Sequence, residues 1–102
     1  IFQPHRISRL KNLKIEFTRS FKDSDKIILC PIYSAGETLK LGFNYSDFAQ
    51  QLSSNSKSQV ILINDKVELS NYIKNNVYGK KILIGMGAGS ISNWIRDISK
   101  KL

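Results

Sequence analysis

Val60-Ile61-Leu62-Ile63-Asn64-Asp65-Lys66-Val67-Glu68 passes from a strand to a helix within a few residues. The first four form a near-continuous apolar run, the signature of a strand buried on both faces. Asn64-Asp65 closes it, and Asp65 followed three residues later by Glu68 has capping-box spacing. Leu69, Tyr72 and Ile73 then recur at helical spacing, and Gly79 stands where a C-terminal glycine stop belongs. The same alternation runs outward in both directions. Ile27-Ile28-Leu29-Cys30 is a second such run, ended by Pro31; a long loop follows to about Tyr45, and Ser46 suits the cap of a short helix burying Phe48, Ala49 and Leu52. Upstream, Leu10, Leu13, Phe17 and Phe21 share one helical face, with Ser8 as an N-cap. Downstream, Ile82-Leu83-Ile84 predicts a third strand and Gly85-Met86-Gly87-Ala88-Gly89 a turn. Ser90 is then the cap of a last helix with Ile91, Trp94, Ile95, Ile98 and Leu102 inside. Ile1-Phe2 reads as the tail of a strand that begins upstream. Strands alternating with helices predict an α/β domain with a mostly parallel sheet flanked by helices.

Composition sets the outer bounds. The chain has 102 residues, 41% of them hydrophobic and 24% charged, which suits one small globular domain spanning 1–102 and excludes a collagen-like or disordered chain. No apolar run approaches the roughly 20 residues that cross a bilayer, and no signal-peptide pattern precedes Arg9, so no membrane partner is expected. Cys30, the single cysteine, lies within an apolar run, so it reads as core and a reducing, cytoplasmic setting is expected. The formal charge of +8 favours anionic partners. A scattered, solvated lysine surface explains the same charge, and the tyrosines and phenylalanines fall mostly on core faces rather than forming a stacking platform, so nucleic acid is not expected.

Right-handed crossovers would gather the loops after the strands on one edge, where open α/β sheets bind ligands. Three stretches on that edge carry chemistry. Phe2-Gln3-Pro4-His5-Arg6-Ile7-Ser8-Arg9 sets two arginines three apart beside the only histidine; a guanidinium fork grips carboxylate or phosphate in bidentate fashion. A solvated turn with a packed histidine remains the competing reading. Gly85 to Ser90 is a small-residue turn able to approach a phosphate or another chain segment. It is neither a dinucleotide fingerprint nor a P-loop, since its sixth position is Ser90 and no Gly-Lys-Ser or Gly-Lys-Thr follows. Tyr33-Ser34-Ala35-Gly36-Glu37 opens the long loop, with Glu37 either orienting a cation or simply solvated. No metal-ligand spacing, nucleophile elbow or paired carboxylate appears, so no complete catalytic apparatus is expected.

Phe2-Gln3-Pro4-His5-Arg6 with Ser8-Arg9, then Ile32-Tyr33-Ser34-Ala35-Gly36-Glu37, then Gly87-Ala88-Gly89-Ser90 resemble, in order and separation, the C-terminal domain of the Mur ligases of peptidoglycan synthesis. The first two motifs are those of the alanine-adding member, and the resemblance covers essentially the whole chain. It implies a Rossmann-like domain lacking here its first strand and helix, which closes onto a central ATPase domain of the same polypeptide. It also implies ATP and Mg2+ as cofactors, bound mainly by that central domain, with L-alanine and UDP-N-acetylmuramate as substrates joined through an acyl phosphate. By the same resemblance His5, Arg6 and Arg9 line the amino-acid site, while Ser34, Glu37, Gly87, Gly89 and Ser90 are candidates for anion or domain-closure contacts. Ile7 stands where the family usually has an aromatic residue, and Leu10 where many members have threonine. One wall of a site implies that these residues alone have no ligase activity. The alternative from another class is a stand-alone α/β module binding an anionic phosphorylated ligand.

Overall fold

A computed structural model of the chain describes residues 1–4, 6–12, 14–32 and 45–100, with the backbone alone at 7, 11 and 12. Its elements are α1 (Ile7–Asn12), α2 (Lys14–Arg19), β1 (Lys26–Leu29), α3 (Tyr45–Ser56), β2 (Gln59–Leu62), α4 (Lys66–Asn76) and α5 (Ile91–Ser99). No helix among the described residues is long and apolar enough to cross a membrane.

β1 and β2 form a parallel pair, Lys26 opposite Gln59 through Leu29 opposite Leu62. On the other side of β1 lies the start of the chain. Phe2 forms parallel bridges with both Leu29 and Met86. The Phe2 N–H donates to Ile28 O at 2.8 Å, Cys30 N–H to Phe2 O at 2.9 Å, and Gln3 N–H to Met86 O at 2.9 Å. The extended segments therefore stand side by side as β2, β1, Phe2, Met86, all running the same way.

The alternation of β1 explains its apolar run. Ile27 and Leu29 point into a cluster with Phe2, Leu10, Phe21, Phe48 and Leu52, covered by α1, α2 and α3. Ile28 and Cys30 point the other way, into Ile63, Leu69, Ile73, Ile91 and Ile98, covered by α4 and α5. Period-two alternation thus loads both faces of the strand, and helices lie on each side of the sheet. Phe2 packs against Phe21 with ring centroids 5.0 Å apart and against Phe17 at 5.7 Å, anchoring the chain's start in the first cluster.

Four local expectations need correction. β2 is not buried on both faces: Val60 and Ile61 are half-buried and Leu62 is exposed, because among the described residues β2 pairs only with β1. Ile82-Leu83-Ile84 forms no strand and lies exposed, Ile82 at 88%. Its neighbour is the short Ile1–Gln3 stretch, which gives Met86 a ladder partner, with the Met86 N–H donating to Ile1 O at 2.8 Å. Ser8 is not the cap of α1: the helix begins at Ile7, and Arg6 O accepts the Leu10 N–H at 3.2 Å. Ser46 likewise lies inside α3, which begins at Tyr45. Leu10, Phe17 and Phe21 do pack into the first cluster, although Phe21 sits in the turn after α2 rather than on a helical face, while Leu13 and Leu102 lie outside the described residues.

The α4 start follows the sequence closely. Asp65 Oδ1 accepts the Glu68 N–H at 2.8 Å, and Glu68 Oε2 returns to Asn64, accepting its backbone N–H at 3.0 Å and its side-chain amide at 3.1 Å. The box closes one residue earlier than the standard reciprocal pair. Gly79, at φ +78, takes the left-handed conformation expected beyond a helix end, two residues past the C-cap Val77.

Candidate functional site

Because the segments are parallel, one edge of the sheet collects the chain after Gln3, after Leu29, after Leu62 and after Met86. In chain order the four segments are arranged third, second, first, fourth, so the order reverses between Phe2 and Met86. Open parallel sheets bind ligands outside the carboxyl ends at such a reversal. The stretches meeting there are Gln3 to Arg9 and Gly87 to Ser90.

Gln3 joins them. Its side chain is buried, and each amide atom is engaged: Oε1 accepts the Ile91 N–H at 3.0 Å, and Nε2 donates to Ser90 Oγ at 3.0 Å and to Pro31 O at 3.2 Å. The last helix is therefore capped from the far end of the chain. Ser90 itself has helical backbone angles and makes no side-chain cap bond, which corrects the expectation drawn from local sequence. Gly87 lies against the same residue. At φ +156 it has a conformation that favours glycine, and a Cβ there would fall 2.9 Å from Gln3 O and 2.7 Å from Ile91 Cγ2. The glycine is required by close approach within the chain, which was one of the two readings open to it. Gly89 is half-buried beside it.

Arg6 and Arg9 open α1 and are both exposed. Arg6 takes φ +64, a left-handed conformation that costs a non-glycine residue about 1–2 kcal/mol. It directly follows the stretch in which Pro4 is fully buried, and its carbonyl starts the helix, so the strain is set by the junction between strand and helix. Strained backbone of this kind clusters at functional sites. His5, Ser34 and Glu37 lie outside the described residues.

Two further groups shape the edge. Cys30 is fully buried at the end of β1, and burial pushes its thiol up to about 11, leaving it a neutral core residue. The Tyr45 hydroxyl donates to Cys30 O, and burial pushes its pKa up too, which makes it a weaker acid. Neither Gln3 as a cap nor Tyr45 as a tie was assigned a role from sequence. The available signal was Gln3 itself, an amide between Phe2 and Pro4 at the end of an apolar strand, where a buried polar group needs partners. An open depression of about 460 Å³ lies elsewhere, at the amino ends of β1 and β2, lined by Lys22, Ser24, Asp25, Asn55 and Ser56 to Ser58. Among the described residues no three His, Cys, Asp or Glu side chains gather as a metal-ligand set.

The carboxyl edge thus carries two exposed arginines at the start of α1 and, after Met86, a glycine turn held against Gln3. No family model matches the chain. It is 57% identical over 98 residues to the UDP-N-acetylmuramate–L-alanine ligase of Pelagibacter ubique, covering 96% of this chain and 21% of that protein. It is 35% identical over 102 residues to the enzyme of the same name from Bartonella bacilliformis, and 35% over 100 residues to that from Lachnospira eligens. These matches cover 100% and 98% of this chain, and 22% of each relative. The chain is thus homologous along its whole length to these ligases and spans about a fifth of the length of the curated relatives it matches.

Proposed function

We propose that this homologue of UDP-N-acetylmuramate–L-alanine ligases is the C-terminal, amino-acid-binding domain of such an enzyme, working in the cytoplasm in peptidoglycan synthesis. The observation that carries this reading is similarity over the whole chain to relatives of one name. The segment order supports reading the domain as Rossmann-like, with its ligand edge at the reversal between Phe2 and Met86.

In this reading the muramate carboxylate takes the terminal phosphoryl group of ATP, and the amine of L-alanine attacks the resulting acyl phosphate and expels phosphate. When bound, Mg2+ would neutralise phosphate charge, and it, ATP and the uridine nucleotide would be held mainly by the part of the parent protein outside this chain. The chain's own task is positioning. Arg9 clamps the alanine carboxylate through its planar fork, fixing the amine near the acyl carbon and lowering the entropic part of the barrier. Arg6 and His5 face the negative charge of the phosphate and of the developing oxyanion. Gly87, Gly89 and Ser90, with Ser34 and Glu37 on the long loop, meet the anion or the central domain on closure. An edge with exposed cations suits one wall of a site that a second domain completes. The 102-residue chain alone is accordingly expected to turn over no ATP.

The test is phosphate release by the complete parent protein with ATP, Mg2+ and UDP-N-acetylmuramate across a panel of amino acids. Release should require L-alanine, and Arg9→Ala should raise the alanine KM by about 10- to 100-fold, the worth of one charged hydrogen-bonded contact. Release indifferent to Arg9 would discard the clamp. Phosphorylated-ligand binding without any amino-acid-dependent release would instead favour a binding module.

A further inference from the structure

Gln3 lies beside the proposed substrate edge, yet its amide is spent on the protein. One planar group supplies an acceptor to the α5 backbone and two donors, one to Ser90 and one to the end of the β1 segment at Pro31. No other side chain of similar size offers one acceptor and two donors in one plane: an ionised glutamate lacks the donors, neutral histidine has only one, and lysine and arginine lack the acceptor. The backbone of the same residue donates to Met86 O, so main chain and side chain both bind the 86–91 stretch. Arg6 follows three residues later. The link contains buried Pro4, whose ring fixes its φ, and ends in the left-handed Arg6 that starts α1. A shift of Gln3 therefore displaces the strand end from which the chain continues to Arg6 and Arg9 at the start of α1.

We propose that Gln3 is a positioning residue for the amino-acid site: its amide sets the spacing between the arginine-bearing start of α1 and the Gly87–Ser90 turn. This rests on the ligase reading above and deepens it, since Gln3 touches no substrate in this scheme and acts through Arg6, Arg9 and the turn. Misplacement of a positioned group by about 1 Å costs up to 100-fold in rate, so loss of the tie should be visible kinetically.

The experiment compares the complete parent ligase with its Gln3→Met and Gln3→Glu variants. Kinetics of phosphate release are measured against L-alanine and against ATP, with the melting temperature of each protein. Gln3→Met, a neutral replacement of similar length, should raise the alanine KM at least about tenfold while the ATP KM stays within about twofold. Gln3→Glu keeps an acceptor for the Ile91 N–H but turns a buried carboxylate oxygen onto the Pro31 carbonyl, so it should lower the melting temperature and also raise the alanine KM about threefold or more while the ATP KM stays within about twofold. If Gln3→Met does not fold, the split seen in Gln3→Glu decides. An unchanged alanine KM, with loss confined to melting temperature or to the active fraction, overturns the positioning role and leaves a structural cap. A wild-type parent without alanine-dependent release overturns the ligase reading and the positioning role with it.

Discussion

Replacing Gly87 by alanine should be the most damaging of the three single-methyl additions at Gly79, Gly85 and Gly87, and the structure gives the size of the difference. At φ +156 Gly87 has a conformation costing other residues about 1–3 kcal/mol. Its new Cβ would also meet Ile91 Cγ2 at 2.7 Å and the Gln3 carbonyl at 2.9 Å. The second of these is backbone already fixed by the Gln3 N–H to Met86 bond, so it cannot swing aside; overpacking of this kind costs about 1–3 kcal/mol. Against both stands a gain of about 0.4–1 kcal/mol from a less flexible unfolded chain, leaving a net loss of roughly 2–5 kcal/mol. Gly79→Ala meets nothing within 4 Å but keeps the left-handed strain at φ +78, for a net loss of about 1 kcal/mol. Gly85→Ala meets only the Ile95 side chain, at 2.8 Å, which can change rotamer for about 0.5–1.5 kcal/mol, so the net change is near zero. Urea unfolding of the three variants, followed by far-ultraviolet circular dichroism, reads these differences as midpoint shifts. With a slope of about 1–2 kcal/mol per molar, Gly87→Ala should lose 1 M or more. Equal midpoints for Gly87→Ala and Gly79→Ala would refute the close approach of the turn to Gln3.

Asp65→Ala removes the acceptor of the Glu68 N–H and should cost about 1 kcal/mol by the same unfolding measurement, whereas Asp65→Asn should lose little. Cys30 should resist an aromatic disulfide reagent in the native chain and react once unfolded, since it is fully buried. Its thiol is raised from 9.0 to about 11, so the folded state holds the proton that the unfolded state releases between those values. Stability is therefore complete below about pH 9 and falls as pH rises towards 11. Cys30→Ala should flatten that alkaline slope, read as urea midpoints across the range.

The legible parts of the fold were those settled by near neighbours in sequence. Asp65 and Glu68 cap α4 within one turn, and the Leu10 and Phe17 spacing picks out residues that pack into the first cluster. The runs at Ile27–Cys30 and Val60–Ile63 identified two parallel strands, yet periodicity could not rank them. One lies between two neighbours and the other at an edge, and that depends on what stands beside a strand. Ile82–Ile84 misled for the same reason, its apolar character being read as burial when the segment is exposed. Helix caps failed where the helix began earlier than the serine or where a distant residue took its place. Arg6 rather than Ser8 starts α1, and a glutamine 88 residues away replaces Ser90 as the cap of α5. Arg6 and Arg9 were singled out by residue type and spacing, and the structure leaves both exposed at the start of α1.

That division bears on how the candidate site is held. Its two halves come from opposite ends of the chain, and the bonds joining them span more than 80 residues. The stretch from Lys80 to Ala88 is exposed throughout and buries little apolar surface of its own. Its attachment therefore depends on the Met86 ladder bonds, the Gln3 amide and the packing of Ile91 and Ile98 into the second cluster. Segments with few buried contacts open at lower free energy than the core. The Gly87–Ser90 turn should accordingly lose amide-exchange protection before β1 does, and Gln3→Met should widen that gap. In the proposed ligase, closure of a second domain over this edge would do two things at once, completing the substrate site and covering an exposed part of the sheet edge. Substrate binding and the ordering of the turn would then be mutually supporting, as linkage requires when both favour the same arrangement.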